Sequence, residues 1–128
     1  MSTIQYCYDP TVDAILFDVQ GPVTASDIIA AFSDQFSTRP SDRVIWNVLN
    51  ADFSNLGVAD MRRIVEHTVP FDSVREKPRT VFIARGNVEM ILLKLYKEVA
   101  GEGRPGITYQ IVGTREEALK WLESPDGK

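Results

Sequence analysis

The sequence has little of the residues that build disulfides and metal sites. Cys7 is the only cysteine and His67 the only histidine among 128 residues. One cysteine cannot form an internal disulfide, and a zinc site needs a cluster of cysteine and histidine ligands. The sequence therefore predicts neither a metal nor a cofactor, and it fits a reducing compartment. We expect Cys7 to be a small buried hydrophobe of the first strand and His67 to lie on the surface of a helix.

Long apolar runs and blocks of like charge are also missing. The apolar runs are only a few residues long, whereas a helix that spans a membrane needs about 20 apolar residues. The net charge is −4 and the longest basic runs are pairs such as Arg62-Arg63, so the basic stripe of a nucleic-acid-binding protein is absent. Residues 1–6 show no signal-peptide pattern, so we expect a cytoplasmic protein.

The motifs of common enzyme classes are absent as well. The glycine-rich loop 101–106 follows a predicted helix and precedes a strand, the reverse of a dinucleotide or phosphate loop. Ser54 lies between Phe53 and Asn55 rather than in a G-x-S-x-G turn. The aspartates are scattered, without a pairing suited to acid–base catalysis. These absences predict a protein that is not an enzyme.

What the sequence does have is the composition of one ordinary globular domain. Apolar residues make up 44% of the chain and charged residues 25%, and 128 residues are enough to bury a core. No linker or internal repeat divides the chain. We therefore expect a single domain over residues 1–123, followed by a loose tail over residues 124–128.

Hydrophobic periodicity predicts an α/β fold with nine elements in the order ββαβαβαβα. Thr24 with Asp27 and Thr114 with Glu117 have the spacing of capping boxes at two helix starts. Alternating strands and helices predict parallel strands with right-handed crossovers, and the first hairpin adds an antiparallel edge. The predicted strands cover residues 3–8, 14–19, 43–49, 80–84 and 107–112, and the predicted helices cover residues 25–36, 58–68, 88–99 and 114–122.

Two positions have more than one interpretation. Ser54 lies between a buried strand and a helix that begins near Val58. Its hydroxyl can lie beside the free N–H groups of that helix N-terminus, where the dipole favours a phosphate, or it can simply cap the helix or turn the chain. Asn47 is a satisfied core amide, or else a polar group at the carboxyl edge of the sheet, where open α/β sheets bind ligands.

Two stretches resemble the SpoIIAA-like (STAS/SEC14-type) family. Residues 109–122 are similar to its C-terminal strand and helix, with the ending E-A-x-x-W-L at residues 117–122. Residues 52–58, D-F-S-N-L-G-V, resemble the loop D-S-S-G-L-G-V of the anti-sigma-factor antagonists in that family. Phe53 and Asn55 depart from that loop. The positions that match it are Asp52, Ser54, Leu56, Gly57 and Val58.

The resemblance implies a STAS-like fold, a mixed and mostly parallel five-stranded sheet with four helices. It also implies a non-enzymatic regulatory or binding domain of bacterial type that engages a protein partner, similar to an anti-sigma-factor antagonist. Carried over by position, Ser54 is the candidate phosphoacceptor. The candidate partner-binding loop consists of Asp52, Phe53, Ser54, Asn55 and Gly57.

Analogy with this fold group also implies an alternative function. The domain would carry or sense a small apolar, lipid-like ligand in an internal pocket. Candidate lining residues are Phe32, Phe36, Leu92 and Tyr96. Because the first hairpin forms an edge of the sheet, its unpaired backbone groups also allow a homodimer.

Overall fold

The elements that the structure describes follow one another in the predicted order, without the helix that was predicted between the fourth and fifth strands. The structure, a computed structural model, describes residues 3–10, 12–38, 42–68, 79–85, 94, 98 and 108–123. Its elements are β1 (Thr3–Asp9), β2 (Ala14–Pro22), α1 (Ala25–Thr38), β3 (Arg43–Asp52), α2 (Val58–Thr68), β4 (Arg79–Ile83), β5 (Thr108–Val112) and α3 (Arg115–Glu123).

The five strands form one sheet in the order β1-β2-β3-β4-β5. β1 pairs with β2 in antiparallel orientation, and the other three pairings are parallel. The prediction of a mixed, mostly parallel sheet with an antiparallel edge hairpin is confirmed. Each strand lies beside the next one in sequence, so β3 is the middle strand and its residues 44–46 are buried on both faces.

The described part of the chain contains three helices, where the sequence predicted four. The remaining predicted helix, the third along the chain, covers residues 88–99. It lies outside the described residues apart from Lys94 and Glu98, whose backbone is helical. The loop 101–106 and the tail 124–128 also lie outside them. No helix in the described ranges is long and apolar enough to cross a membrane.

The predicted capping box at Thr24 forms in full, and the one at Thr114 forms in part, without a bond from the Thr114 N–H to the Glu117 carboxylate. The Thr24 hydroxyl accepts the Asp27 N–H at 3.2 Å, and the Asp27 carboxylate accepts the Thr24 N–H at 3.1 Å. The Thr114 hydroxyl accepts the Glu117 N–H at 3.1 Å and donates to the Glu117 carboxylate at the same distance. These bonds satisfy N–H groups that have no partner within the helix, so both helix starts follow from local sequence.

The two faces of the sheet carry separate apolar cores. Side chains alternate along each strand, so neighbouring residues enter different cores. On the α1/α2 face, Phe17 stacks on Trp46 with ring centroids 4.0 Å apart. On the α3 face, Ile45, Val81 and Ile83 pack with the buried residues Ala118, Trp121 and Leu122 of α3.

Among the described helices, α3 is the one that packs on this second face, where it contacts β3, β4 and β5. Cys7 lies opposite Leu16, whose side chain packs on the α3 core, so Cys7 is on this face of the edge strand. The prediction that Cys7 is buried is wrong, because the thiol is exposed on the edge strand β1.

A β-bulge extends β3 beyond the predicted end at residue 49. Asp18 lies opposite Asn47 and Gln20 lies opposite Asn50, so one residue of β2 faces two residues of β3. Leu49, in the bulge, is 40% exposed. In the sequence the apolar run ends at Leu49, before Asn50, although the strand continues to Asp52.

The bulge also changes which side chains point inward. Before it, the even-numbered residues Val44, Trp46 and Val48 enter the α1/α2 core. After it, the odd-numbered residues Ala51 and Phe53 enter the same core. An extra residue shifts the alternation by one position, so everything that follows β3 depends on it.

Candidate functional site

A tight turn leads from β3 into α2, at residues 53–56, and we call it the Ser54 turn. The Leu56 N–H donates to the Phe53 carbonyl oxygen at 3.0 Å, which places Ser54 and Asn55 at the two central positions. Both central residues are exposed, whereas Phe53 is only 4% exposed and Leu56 is buried in the same core. Two apolar anchors therefore hold a polar tip against the body of the domain.

Asp52 and Ser54 form a small hydrogen-bonded unit at the base of this turn. The Ser54 N–H donates to the Asp52 carboxylate at 2.9 Å, as in an Asx turn. This bond, together with a weaker contribution from the Ser54 side chain, lowers the pKa of Asp52. The Asp52 carbonyl oxygen accepts the Val23 N–H at 3.2 Å, which ties the turn to the end of β2.

Gly57, not Ser54, caps α2. The Met61 N–H donates to the Gly57 carbonyl oxygen at 3.1 Å, the first bond of the helix. The Asp60 carboxylate accepts the Gly57 N–H at 2.8 Å, so an acidic side chain already lies at this helix N-terminus. Of the interpretations of Ser54, the helix cap is wrong and the turn is confirmed.

Phe53 belongs to the predicted partner-binding loop, but the structure buries its side chain. Its side chain enters the α1/α2 core because the bulge in β3 shifts the alternation inward at this position. A partner cannot contact a ring that is 4% exposed without unfolding the turn. Asp52, Ser54 and Asn55 are exposed, and Gly57 is half-buried, so these four remain available.

The residues of the predicted apolar pocket split into two pairs. Phe32 and Phe36 are buried in α1 and stack on each other with ring centroids 4.1 Å apart. Phe32 also stacks near Phe17 of β2, at 6.2 Å. Leu92 and Tyr96 lie outside the described residues. The described pair belongs to the packed core, and the pocket itself stays a prediction.

A groove of about 390 Å³ lies on the opposite, α3 face of the sheet. The sequence does not predict this groove, although Asn47 indicates a polar group near a strand end. Asn47 is half-buried there, and its Oδ1 accepts the Leu49 N–H of the bulge at 3.2 Å. Side chains on this face that line the groove are Gln5, Cys7, Leu16, Asp18, Ile45, Asn47, Ile83 and Arg115.

The structure shows no metal-binding group among the residues it describes. No three His, Cys, Asp or Glu side chains within them are placed so that they could hold an ion. His67 is exposed on α2, as predicted, and its Nδ1 lies 2.9 Å from the Arg63 carbonyl oxygen. The histidine therefore has a local contact on its own helix.

Comparisons with known proteins identify the fold. No protein-family model matches the sequence, and no curated protein matches it. A solved structure of an anti-sigma factor antagonist from Mycobacterium paratuberculosis matches with a TM-score of 0.63 and 14% identity, over 97% of this chain and 96% of that one. An uncharacterised DUF3478-family protein with a SpoIIAA-like fold, from Shewanella loihica, matches with a TM-score of 0.61 and 15% identity, over 94% and 93%.

These comparisons confirm the resemblance at the level of the fold. Both matches extend over more than nine-tenths of each chain, so the likeness is not limited to one motif. The chain therefore has the SpoIIAA-like α/β fold. Identities of 14% and 15% carry the argument no further than the fold.

Proposed function

We propose that this chain is a non-enzymatic regulatory domain that binds a protein partner through the Ser54 turn and the start of α2. One observation carries the proposal. The Ser54 hydroxyl is exposed at the tip of a turn whose two flanking side chains are buried. The structural likeness to an anti-sigma factor antagonist supports it.

The anchored turn suits a binding site on physical grounds. Phe53 and Leu56 are held in the core, and the Asp52 carboxylate fixes the backbone of Ser54. A surface that is ordered before binding loses less conformational entropy when a partner docks. The exposed tip offers a hydroxyl and an amide side chain, which recognise a partner by hydrogen bonds.

Phosphorylation of Ser54 is the regulatory step of this proposal. A phosphate adds a charge of about −1.5 to −2 at neutral pH. It would replace the hydroxyl beside the Asp52 carboxylate with a group of the same sign, and Asp60 adds a further acid at the start of α2. Repulsion would then distort the turn, and we expect the phosphorylated domain to release a partner that binds the unmodified one.

The test compares partners captured by immobilised wild-type protein with those captured by Ser54→Asp and Ser54→Ala. Ser37→Asp is a matched control, because it adds the same charge at an exposed serine of α1. Quantitative mass spectrometry of proteins captured from the source cells gives the readout. We expect a partner that wild type, Ser54→Ala and Ser37→Asp retain and that Ser54→Asp retains at least about tenfold less.

An identical set of partners for Ser54→Asp and wild type would contradict a switch at Ser54. If Ser37→Asp lost the same partner as strongly, the cause would be a general effect of charge rather than an effect of the turn. Phosphopeptide analysis of the protein from its native source supplies a second measurement, and phosphate found at Ser54 would support the proposal directly.

A further inference from the structure

The groove on the α3 face lies near the ends of the parallel strands, where side chains from neighbouring strands form rows across the sheet. Asp18, Asn47 and Ile83 lie side by side on β2, β3 and β4. Leu16 and Ile45 occupy the preceding row. Open α/β sheets bind ligands at the carboxyl ends of their strands, so the position itself favours a site.

The groove has an apolar floor and two charged ends. Leu16, Ile45 and Ile83 form the floor, and all three pack on the α3 core. Asp18 stands at the β2 end, and Arg115 stands at the start of α3. An apolar cleft with a few polar groups is the usual composition of a small-molecule site, and 390 Å³ lies within the usual range of about 300–1,000 Å³.

The two charged residues break the local rules of their elements. Aspartate is disfavoured in strands, yet Asp18 is half-buried within β2. Arginine in the first turn of a helix opposes the dipole, yet Arg115 begins α3. Within the described ranges, neither side chain shows a hydrogen bond or an ion pair that would compensate. Uncompensated departures of this kind concentrate at functional sites.

We propose that this groove binds a small elongated zwitterion. A protonated amine contacts Asp18, a carboxylate contacts Arg115, and an apolar body lies over Leu16, Ile45 and Ile83. Asp18 belongs to β2 and Arg115 follows β5, with β3 and β4 between these two strands, so the charges lie at opposite ends of the ligand. The site lies on the α3 face and does not depend on the function of the Ser54 turn.

Asn47 adds a hydrogen-bond donor midway along the groove. Its Oδ1 is occupied by the Leu49 N–H, which orients the amide group so that its NH₂ is the remaining polar end. Asn47 lies between Asp18 and Ile83 in the row. A ligand with an acceptor in its middle gains this contact.

The test uses 6-aminohexanoate as the probe, with hexanoate and hexylamine as probes that each lack one charge. Backbone amide shifts in NMR spectra report where each probe binds and how tightly. We expect 6-aminohexanoate to shift the groove residues and to bind about tenfold more tightly than either truncated probe, as is typical when one charged contact is lost.

Charge-removing variants assign each end of the ligand. Arg115→Gln should weaken the binding of 6-aminohexanoate and hexanoate about tenfold and leave the binding of hexylamine unchanged. Asp18→Asn should weaken the binding of 6-aminohexanoate and hexylamine about tenfold and leave the binding of hexanoate unchanged. Arg62→Gln is the control, because it removes an exposed charge from α2 on the other face. Unchanged affinity of hexanoate for Arg115→Gln would overturn the assignment of the carboxylate.

The exposed thiol of Cys7 gives a second readout that needs no variant. Cys7 lines the groove and is the only cysteine, so its reaction with N-ethylmaleimide reports on access to the site. We expect 6-aminohexanoate to slow this reaction severalfold at concentrations of about 10 mM. An unchanged rate, together with no amide shifts in the groove, would refute the proposal even if a variant failed to fold.

Discussion

At the scale of single residues, burial divides the segment 52–58 into anchors and tip. Phe53 and Leu56 are buried, and Ser54 and Asn55 are exposed between them. The family resemblance implied one continuous binding loop, since nothing in the letters D-F-S-N-L-G-V separates an inward phenylalanine from an outward one. Whether each side chain of this segment points toward the core or toward solvent is set by the alternation of the preceding strand, β3, and by its bulge.

Loss of the Phe53 ring should destabilise the domain. Truncating a buried phenylalanine removes its transfer free energy and leaves a cavity, so we expect Phe53→Ala to lower the free energy of unfolding by about 3–5 kcal/mol. Leu49→Ala is the control at a residue that is 40% exposed, with an expected change within about 0.5 kcal/mol. Urea denaturation measures both, and equal losses would show that Phe53 is not an anchor.

The Asp52 carboxyl should make stability depend on acid pH. Its pKa is lowered from 3.8 in the folded state, first by the Ser54 N–H and then by the Ser54 side chain. The stabilisation is therefore fully present above the unfolded pKa, and it is lost as the pH falls through the folded pKa. We expect Asp52→Asn to be less stable than wild type at neutral pH and the difference to vanish in acid.

NMR titration of the Asp52 carboxyl provides the direct measurement. In Ser54→Ala the pKa should rise toward the ordinary value without reaching it, because the larger backbone contribution remains. A pKa that Ser54→Ala leaves unchanged would show that the hydroxyl does not contact the carboxylate.

At the scale of elements, helix starts are readable from sequence and the position of the Ser54 turn is not. The capping boxes at Thr24 and Thr114 depend on residues three positions apart, which a pattern shows directly. The Ser54 turn depends on a bulge in β3, and the bulge depends on the register between β3 and β2. Register is a long-range property, so the sequence placed the end of β3 three residues too early.

The start of α2 should depend on Asp60. Its carboxylate accepts the Gly57 N–H and also lies at the favourable end of the dipole, so Asp60→Ala should cost about 1 kcal/mol of unfolding free energy. Glu66→Ala removes the same charge from an exposed position near the other end of α2, where little change or a slight gain is expected. Hydrogen exchange of the first-turn amides should quicken only in Asp60→Ala.

At the scale of the whole molecule, the sheet separates two apolar cores. The mixed, mostly parallel sheet was predictable, because alternating strands and helices imply parallel strands and the first hairpin adds an antiparallel pair. The groove on the α3 face was not, since it depends on where the nine-residue helix α3 packs on the sheet. Cys7, expected to be buried, is exposed and lines this groove.

The separation predicts additive mutational effects across the sheet. Ile64→Val in α2 and Ile83→Val in β4 remove one methyl group from different cores, and each should cost about 0.5–1.5 kcal/mol. The double variant should equal the sum within about 0.5 kcal/mol. Phe32→Leu with Phe36→Leu is the control pair, whose stacked rings should couple by more than that. Coupling between the two isoleucines would show that the cores communicate through the sheet.

The bulge in β3 decides where along the strand a change of length is tolerated. Leu49 and Asn50 are two successive exposed residues, and Val48 and Ala51 on either side of them enter the same core. Deletion of Leu49 would therefore remove the bulge and leave Val48, Ala51 and Phe53 in regular alternation on that face. Deletion of one residue within residues 44–48 would instead turn core side chains to the other face of the sheet. Among functional variants, single-residue deletions should therefore be far more frequent at residues 49–50 than at residues 44–48.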